Sequence, residues 1–364
     1  MDSLTQAALG ASVGLACWRQ ELGRKALICG AVIGTIPDLD IIAYPFLDSV
    51  QRLYWHRGES HSVFFILLGA LLTGGIVFRL TRQHRVSYCS AVTGCLLIYL
   101  THVLIDVYTV YGTQLFAPFS RYGYAVGNMF IIDPLFTLAL LVGITGALLL
   151  PSAKSRLVNG AALAVVSCYS VWSLAIQSYA DNTFQRALEQ MEVSTSRHLT
   201  TASPFNTLLW RHVAQTPEGF LFGYWSIFDQ PDRAIVFYHI PRNQSLTQSF
   251  KNSRAFEVVD WFAKGWWIAF ELENDQVKVV DIRFTEIPAA PDDFYHHWNW
   301  PFSWVFKKNT MPVQLQRAEP LQQEFTATLQ LLANRVTGGA GWLKQGNGPP
   351  IRSPEASKQY PGNP

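Results

Sequence analysis

Charged side chains are scarce in this 364-residue chain: Asp, Glu, Lys and Arg make up 15% of it, against about a quarter of an ordinary soluble domain. With 49% apolar residues and a mean hydropathy of +0.13, the chain as a whole is not intrinsically disordered. The charges are also uneven, because residues 1–177 hold 11 Lys and Arg and 8 Asp and Glu, whereas residues 178–364 hold 17 and 18. The sequence therefore predicts a membrane half and a water-soluble half. The lack of a basic block excludes nucleic acid as a partner.

Cysteine is missing from the second half. All five cysteines lie before residue 178, and no two of them form a Cys-x-x-Cys pair: Cys17, Cys29, Cys89, Cys95 and Cys168. A disulfide framework is thereby excluded for the water-soluble half.

Long apolar runs are confined to the first half. A helix needs about 20 mostly apolar residues to cross the hydrocarbon layer of a membrane. We assign five such stretches, at about residues 26–47, 63–78, 87–105, 130–150 and 157–177. The opening run Leu4–Cys17 is shorter and lacks the basic segment of a signal peptide, so we expect an uncleaved helix that is packed or partly inserted. The sequence thus predicts an all-α multi-pass membrane domain over residues 1–177.

Lys and Arg in short loops set the orientation of such helices, since cytoplasmic loops carry an excess of them. Basic residues lie before the first stretch, after the second, and between the fourth and fifth: Arg19, Arg24, Lys25, Arg79, Arg82, Arg85, Lys154 and Arg156. These three loops alternate with the others, so we expect all three in the cytoplasm. Residues 178–364 then lie on the outer side of the membrane.

The second half is predicted to be an α+β soluble domain over residues 178–336. Apolar residues at helical spacing predict helices over residues 181–198, 256–262 and 322–336. Short apolar and aromatic runs predict strands over residues 220–228, 234–240, 266–272 and 277–284, with a hairpin at Asn274-Asp275. Residues 337–364 are rich in Gly and Pro, and we expect this tail to be disordered.

Ionisable residues at a membrane are costly, so each one requires a reason. Seven fall at the ends of the predicted membrane helices: Asp38, Asp40, His56, His61, His102, Asp106 and Asp133. The predicted topology places all seven in one layer at the outer side. Imidazole and carboxylate groups are the ligands of catalytic zinc and related divalent metals, and several carboxylates suit a site with two or more ions.

Two interpretations of this layer remain open. In the first, the seven residues bind metal, Glu59 is the general acid or base, and Arg57 holds a phosphate. In the second, the layer ties helices together or lines an ion path, Glu59 is a solvated carboxylate, and Arg57 is an interfacial anchor. His296-His297 also offers imidazoles, but its aromatic neighbours are more typical of a surface strand near the bilayer.

Four separated motifs occur in an order that resembles a known family. They are Met1-Asp2-Ser3-Leu4-Thr5-Gln6-Ala7, Gly34-Thr35-Ile36-Pro37-Asp38-Leu39-Asp40, His56-Arg57-Gly58-Glu59-Ser60-His61-Ser62 and Thr101-His102-Val103-Leu104-Ile105-Asp106. They resemble the YdjM-like family of bacterial inner-membrane proteins, which are described as predicted membrane-bound metal-dependent hydrolases.

The resemblance implies that six of the seven residues are metal ligands: Asp38, Asp40, His56, His61, His102 and Asp106. It also implies a remote similarity to zinc-dependent phospholipase C and to S1/P1 nucleases. Many members of the family carry His where this chain has Gln6, and Gln is a poor ligand for transition metals. One ion of a multinuclear site is then weakly held or absent.

The function that these observations predict is metal-dependent hydrolysis of a phosphoester at the bacterial inner membrane, with metal-activated water as the nucleophile. The expected partner is a membrane lipid or a small substrate derived from the cell envelope. The alternatives are a transporter or ion pathway, and a structural membrane protein without catalysis. A transporter favours carboxylates at several depths, whereas this sequence places them in one layer.

Overall fold

The computed structural model describes residues 1–286, 300–308, 316–317 and 325–339. The chain divides into two units, one formed by residues 1–174 with 204–206 and the other by residues 175–203 with 207–364. The first unit is helical, and the second contains two antiparallel sheets. The predicted fold class, an all-α membrane domain followed by an α+β domain, is confirmed.

The first unit is built mainly from α-helices, with a long segment, residues 108–133, between the fifth and the sixth. In chain order they are α1 (Ser3–Leu22), α2 (Lys25–Thr35), α3 (Ser49–Trp55), α4 (Val63–Thr81), α5 (Tyr88–Val107), α6 (Pro134–Leu149) and α7 (Ser152–Gln190), the last of which continues into the second unit. A 3-10 helix, Pro37–Phe46, follows α2, and a shorter one, Glu59–His61, precedes α4. Ser62, Ser87 and Asp133 cap α4, α5 and α6, because their side chains accept backbone N–H groups of the first turn.

Three helices among the described residues are long and apolar enough to cross a membrane: Val63–His84, Tyr88–Val107 and Ser152–Gln190. They correspond to the predicted stretches 63–78, 87–105 and 157–177.

Two of the five predicted stretches differ in the structure. Residues 26–47 do not form one straight helix, because α2 and the Pro37–Phe46 helix are bent by 46° relative to each other, although the two together are long and apolar enough for one broken span. Pro37 lies at this break and has no N–H group to continue the hydrogen bonding of α2. The predicted stretch 130–150 corresponds to the shorter helix α6, which begins at Pro134 and has 16 residues, or about 24 Å of helix. Asp38 and Asp40 lie just beyond this bend, in the first turn of the 3-10 helix.

Helix α1 is longer than the predicted run Leu4–Cys17 and packs closely against α2. Gly10 and Gly14 of α1 lie against Gly30 and Gly34 of α2. A Cβ added to Gly30 would lie 2.1 Å from the carbonyl oxygen of Gly10, so only glycine permits this approach of the two backbones. The contact brings the first turns of α1 to the last turn of α2, next to the polar layer.

The second unit contains two four-stranded antiparallel sheets. The first has the order β1 (Arg197–Ala202), β2 (Leu209–Gln215), β3 (Gly219–Ser226) and β4 (Phe237–Pro241), and the second has the order β5 (Trp267–Leu272), β6 (Gln276–Asp281), β7 (Ser303–Lys307) and β8 (Gln316–Arg317). Helices α8 (Arg254–Ala263) and α9 (Phe325–Val336) complete the unit. Apolar side chains of both sheets share one core, which includes Leu209, Phe220, Phe222, Ile268 and Val280.

Most predicted elements of this unit are present, with one clear difference. The predicted strands overlap β3 to β6, and the turn at Asn274-Asp275 is confirmed, since both residues have the positive φ that Asn and Asp tolerate. The predicted helix 181–198 ends instead at Gln190, because Glu192 adopts a left-handed conformation and the chain then enters β1. His296-His297, and the predicted disordered tail from residue 340 onward, lie outside the described residues.

Candidate metal centre

Two histidines and two aspartates converge in the first unit. Asp38, His61, His102 and Asp106 each offer one ligand atom, and these four atoms lie within 4.8 Å of one another. His61 Nε2 is 3.3 Å from Asp38 Oδ1 and 3.2 Å from Asp106 Oδ2. His102 Nε2 is 3.6 Å from each of the same two oxygens. The two Nε2 atoms are 3.3 Å apart.

The second ring nitrogen of each histidine is held by a neighbour. His102 Nδ1 lies 2.7 Å from the carbonyl oxygen of Gly34, which only accepts, so Nδ1 carries the proton. His61 Nδ1 lies 2.9 Å from Ser60 Oγ, whose own proton is donated to Asp40 Oδ2. Ser60 therefore accepts from His61 Nδ1. Both Nε2 atoms then present lone pairs to the same point, as metal-binding histidines do.

The separations match the edges of a tetrahedron of ligands. Zinc binds nitrogen and oxygen ligands at about 2.0–2.2 Å, which places tetrahedral ligands about 3.3–3.6 Å from one another. Five of the six distances between the four atoms lie between 3.2 and 3.6 Å. In addition, Asp106 Oδ2 is buried and has no hydrogen-bond partner, which is costly for a carboxylate oxygen. The residues present therefore fit a divalent metal ion.

Three segments carry the four residues. Asp38 follows Pro37 in the 3-10 helix beyond the bend, His61 ends the Glu59–His61 helix, and His102 and Asp106 lie one turn apart at the end of α5. The side chains of His61, His102 and Asp106 are at most 1% exposed, whereas that of Asp38 is 21% exposed. A molecule from outside therefore approaches the cluster past Asp38.

Asp40 and His56, both predicted as ligands, form a separate pair beside this cluster. His56 Nδ1 lies 3.0 Å from Asp40 Oδ1, and Asp40 Oδ2 accepts the backbone N–H of Arg57 at 3.0 Å. Because Asp40 also accepts the hydroxyl of Ser60, it serves as an acceptor that orients the imidazole of His56. The ring of His56 lies 6.2 Å from that of His61, centroid to centroid. The pair thus adjoins the four-residue cluster without belonging to it.

Arg57 and Glu59, the predicted catalytic residues, contact other charged groups. The buried Arg57 places Nη2 3.1 Å from Asp106 Oδ1 and donates from Nη1 to Thr109 Oγ1 at 2.9 Å. Glu59 pairs with Arg121. Partial burial by itself raises the pKa of the Glu59 carboxyl, but the Arg121 guanidinium and a backbone N–H together outweigh burial and hold that pKa below its ordinary value. Arg57 therefore supports a candidate ligand, and Glu59 is engaged in an ion pair.

Asp133 lies outside the four-residue cluster, and both of its oxygens have donors. Oδ1 accepts the backbone N–H of Phe136 at 3.1 Å, which caps α6, and Oδ2 accepts the hydroxyl of Tyr169 at 2.8 Å. Asp followed by Pro at the first helical position is a common helix start. The structure therefore accounts for Asp133 without a metal ion.

Sequence reasoning missed two neighbours of the cluster, Gly34 and Ser60, and considered Gln6 only as the replacement of a ligand. Gln6 Nε2 donates to Asp106 Oδ1, which the amino group of Met1 also contacts. The sequence did contain a signal for Ser60, since a hydroxyl next to a ligand histidine often orients that histidine. It contained no signal for the contact made by the carbonyl group of Gly34.

Comparison with known proteins places the helical unit in a family. The sequence profile described as YdjM inner membrane protein matches residues 1–180, which contain all four residues of the cluster. Over its first 180 residues, the chain belongs to the YdjM inner membrane protein family. The family resemblance carried by the four motifs is thereby confirmed.

Two curated proteins are similar to parts of this YdjM-family chain. Uncharacterized protein YfhP of Bacillus subtilis (strain 168) is 27% identical over 151 residues, which are 40% of this chain and 45% of that protein. Inner membrane protein YbcI of Escherichia coli (strain K12) is 28% identical over 109 residues, 30% of this chain and 61% of that protein. The chain thus spans about half the length of the curated relatives it matches. No solved structure matches it, and the similarity to phospholipase C and the S1/P1 nucleases stays a prediction.

Proposed function

We propose that this YdjM-family protein is a metal-dependent hydrolase that acts on a phosphoester at the bacterial inner membrane. The observation that carries the proposal is the near-tetrahedral set of ligand atoms from Asp38, His61, His102 and Asp106. Two imidazoles and two carboxylates favour zinc among the divalent metals. A zinc ion held by four protein ligands can accept a fifth, so when bound it would polarise a phosphoryl oxygen or lower the pKa of a bound water to about 7.

Arg57 acts on Asp106 rather than on the substrate in this proposal. Its guanidinium is 3% exposed, pairs with Asp106 Oδ1, and lies 4.8 Å from the ring centroid of Tyr111. A buried cation that already pairs with a carboxylate is poorly placed to bind a second anion. Arg57 therefore holds Asp106 with Oδ2 turned toward the two histidines.

His56 is the better placed group for moving a proton. Asp40 holds His56 Nδ1, so Nε2 is the basic atom, and the side chain is 19% exposed. A carboxylate that orients an imidazole in this way is the usual support of a histidine general acid or base. We assign this role to His56 instead of Glu59, whose carboxylate is paired with Arg121.

The surroundings of Asp38 support a substrate that lies in the membrane. A 3-10 helix has about three residues per turn, so Ile41 lies on the same face as Asp38. Ile41 is 50% exposed, and Ile42 and Phe46 of the same helix are 66% and 87% exposed. An apolar surface beside the most accessible ligand suits the acyl chains of a lipid phosphoester better than a small polar molecule from the envelope.

The direct test is hydrolysis by the full chain purified in detergent. We expect release of phosphate or phosphoalcohol from a phospholipid in mixed micelles, loss of this activity with a chelator, and recovery with zinc. A zinc-loaded protein that hydrolyses neither micellar nor soluble phosphoesters contradicts the proposal. Metal-dependent ion flux in proteoliposomes, without hydrolysis, would favour the ion pathway instead.

The proposed topology has its own test. We expect the helices to cross the membrane several times, with the second unit in the periplasm, because the basic loops alternate with the others. Alkaline phosphatase fused after residue 192, beyond the end of α7, should be active, since this reporter folds only outside the cytoplasm. A fusion after residue 83, in the basic segment that follows α4, is the matched control and should be inactive. The reverse pattern would place the metal centre on the cytoplasmic side.

A further inference from the structure

We propose that Gln6 is a positioning residue of the metal centre, which acts with Arg57 to hold Asp106 Oδ1 so that Oδ2 faces the ion. The inference rests on the metal site proposed above. It gives Gln6 a role different from that of a weak or lost ligand. The described residues offer one group of four converging ligand atoms, which suits one ion rather than two or more.

The amide of Gln6 contacts two of the ligand residues at once. Nε2 lies 3.0 Å from Asp106 Oδ1 and 3.3 Å from the carbonyl oxygen of His102. Both neighbours only accept hydrogen bonds, so the orientation of the amide is fixed: Oε1 in this place would face two acceptors. Gln6 is therefore a double donor that joins the side chain of Asp106 to the backbone one turn earlier in α5.

The two oxygens of the Asp106 carboxylate have different neighbours, and the Gln6 donor contributes to this difference. Oδ1 contacts the amino group of Met1 as well as Gln6 Nε2 and Arg57 Nη2, the last two at 3.0 and 3.1 Å. Oδ2 accepts no hydrogen bond and lies near both histidine Nε2 atoms. When hydrogen-bond donors occupy one oxygen of a carboxylate, the carboxylate binds a metal ion through its other oxygen alone. Loss of the Gln6 donor would remove one of the three groups that hold Oδ1, the others being Arg57 and the Met1 amino group, and would thereby loosen its hold away from the ion.

Packing of α1 keeps Gln6 in this position. The side chain is 1% exposed, and a Cβ on Gly34 would lie 3.1 Å from the backbone oxygen of Gln6 and 3.0 Å from Cα of Gly10. Gly34 is also the residue whose carbonyl accepts from His102 Nδ1. One close contact between α1 and α2 thus sets both the Gln6 donor and the direction of His102. Ordered neighbours of this kind tune the affinity of metal sites by about 10–100-fold.

The test compares Gln6→Met and Gln6→Asn with the wild-type full chain in detergent. Met matches the shape of Gln without its donors, and Asn keeps the amide but is too short to reach Asp106. We expect both variants to bind one zinc ion per chain with a Kd raised about 10–100-fold in chelator competition. With cobalt in place of zinc, we expect weaker visible absorption, because an Asp106 that binds through both oxygens raises the coordination number by one. Gln114→Met is the matched control, since this buried glutamine contacts Tyr54 and Arg121 instead.

The outcomes separate this inference from the proposed function. Wild-type protein that binds no divalent metal overturns the proposed function and the inference with it. Metal binding by wild type with unchanged Kd and cobalt spectrum in both Gln6 variants overturns the inference alone. Two ions in wild type and one in the variants would make Gln6 a ligand, which also overturns it.

Discussion

Alanine at His61 or at His102 is expected to remove most bound metal from this YdjM-family protein. Each substitution deletes one of four ligand atoms of a buried site, and Asp38→Ala deletes another from a different segment. Changes to residues that only support a ligand cost about 10–100-fold in metal affinity, so loss of a ligand itself should cost at least as much. Zinc affinity measured by chelator competition checks the prediction.

Two substitutions serve as controls for this series. His84 lies in the short 3-10 segment Arg82–His84 after α4, and His84→Ala should bind zinc as the wild type does. Asp133→Asn should also keep zinc, because Asp133 caps α6 and Asn is an equally good N-cap residue. If the three ligand variants keep full occupancy, the cluster is a polar contact between helices. If Asp133→Asn loses zinc, the seven-ligand interpretation of the sequence regains its support.

Glutamine at His56 is expected to lower turnover by about 100- to 10,000-fold while zinc content stays unchanged, since this is the usual contribution of a general acid or base. Glutamine still donates a hydrogen bond toward Asp40 but has no basic nitrogen at the position of Nε2. Hydrolysis and zinc content measured on the same preparation check both parts of the prediction. Added imidazole should restore part of the activity of a His56→Gly variant.

The matched control is Glu59→Gln, which changes the other candidate for the proton carrier. We expect it to keep most of the turnover, because Glu59 pairs with Arg121. Loss of zinc from His56→Gln would instead make His56 a ligand, as the spacing of the sequence motifs suggests. Loss of turnover in Glu59→Gln with zinc retained would return the role to Glu59.

The four residues of the cluster could be found from the sequence because membrane helices confine ionisable groups to few places. His102 and Asp106 are four apart on one helix, and the basic loops indicate the side to which they turn. The sequence could not distinguish the residues that would bind the metal from the residues that lie beside them. Asp40 and Asp38 are two residues apart, yet the turn of the 3-10 helix sends Asp38 to His61 and Asp40 to His56.

The elements that differ from expectation do so for local reasons. The apolar stretch 26–47 has the composition of a single span, but Pro37 divides it, and hydropathy alone does not register the bend. Asp133 resembles a ligand by its position in the layer, but Pro134 makes it a helix cap. The role of Gln6 could not be predicted without the contact of α1 and α5, because its partners lie about 100 residues away in the chain.

The central claim is that Asp38, His61, His102 and Asp106 bind a divalent metal ion. Elemental analysis of the full chain tests it most directly. The protein is purified without added metal or chelator, loaded with zinc, and then dialysed against metal-free buffer. The account predicts about one zinc ion per chain that survives exhaustive dialysis and is absent from the His61→Ala, His102→Ala double variant. A wild-type protein that retains no more metal than the double variant would contradict it.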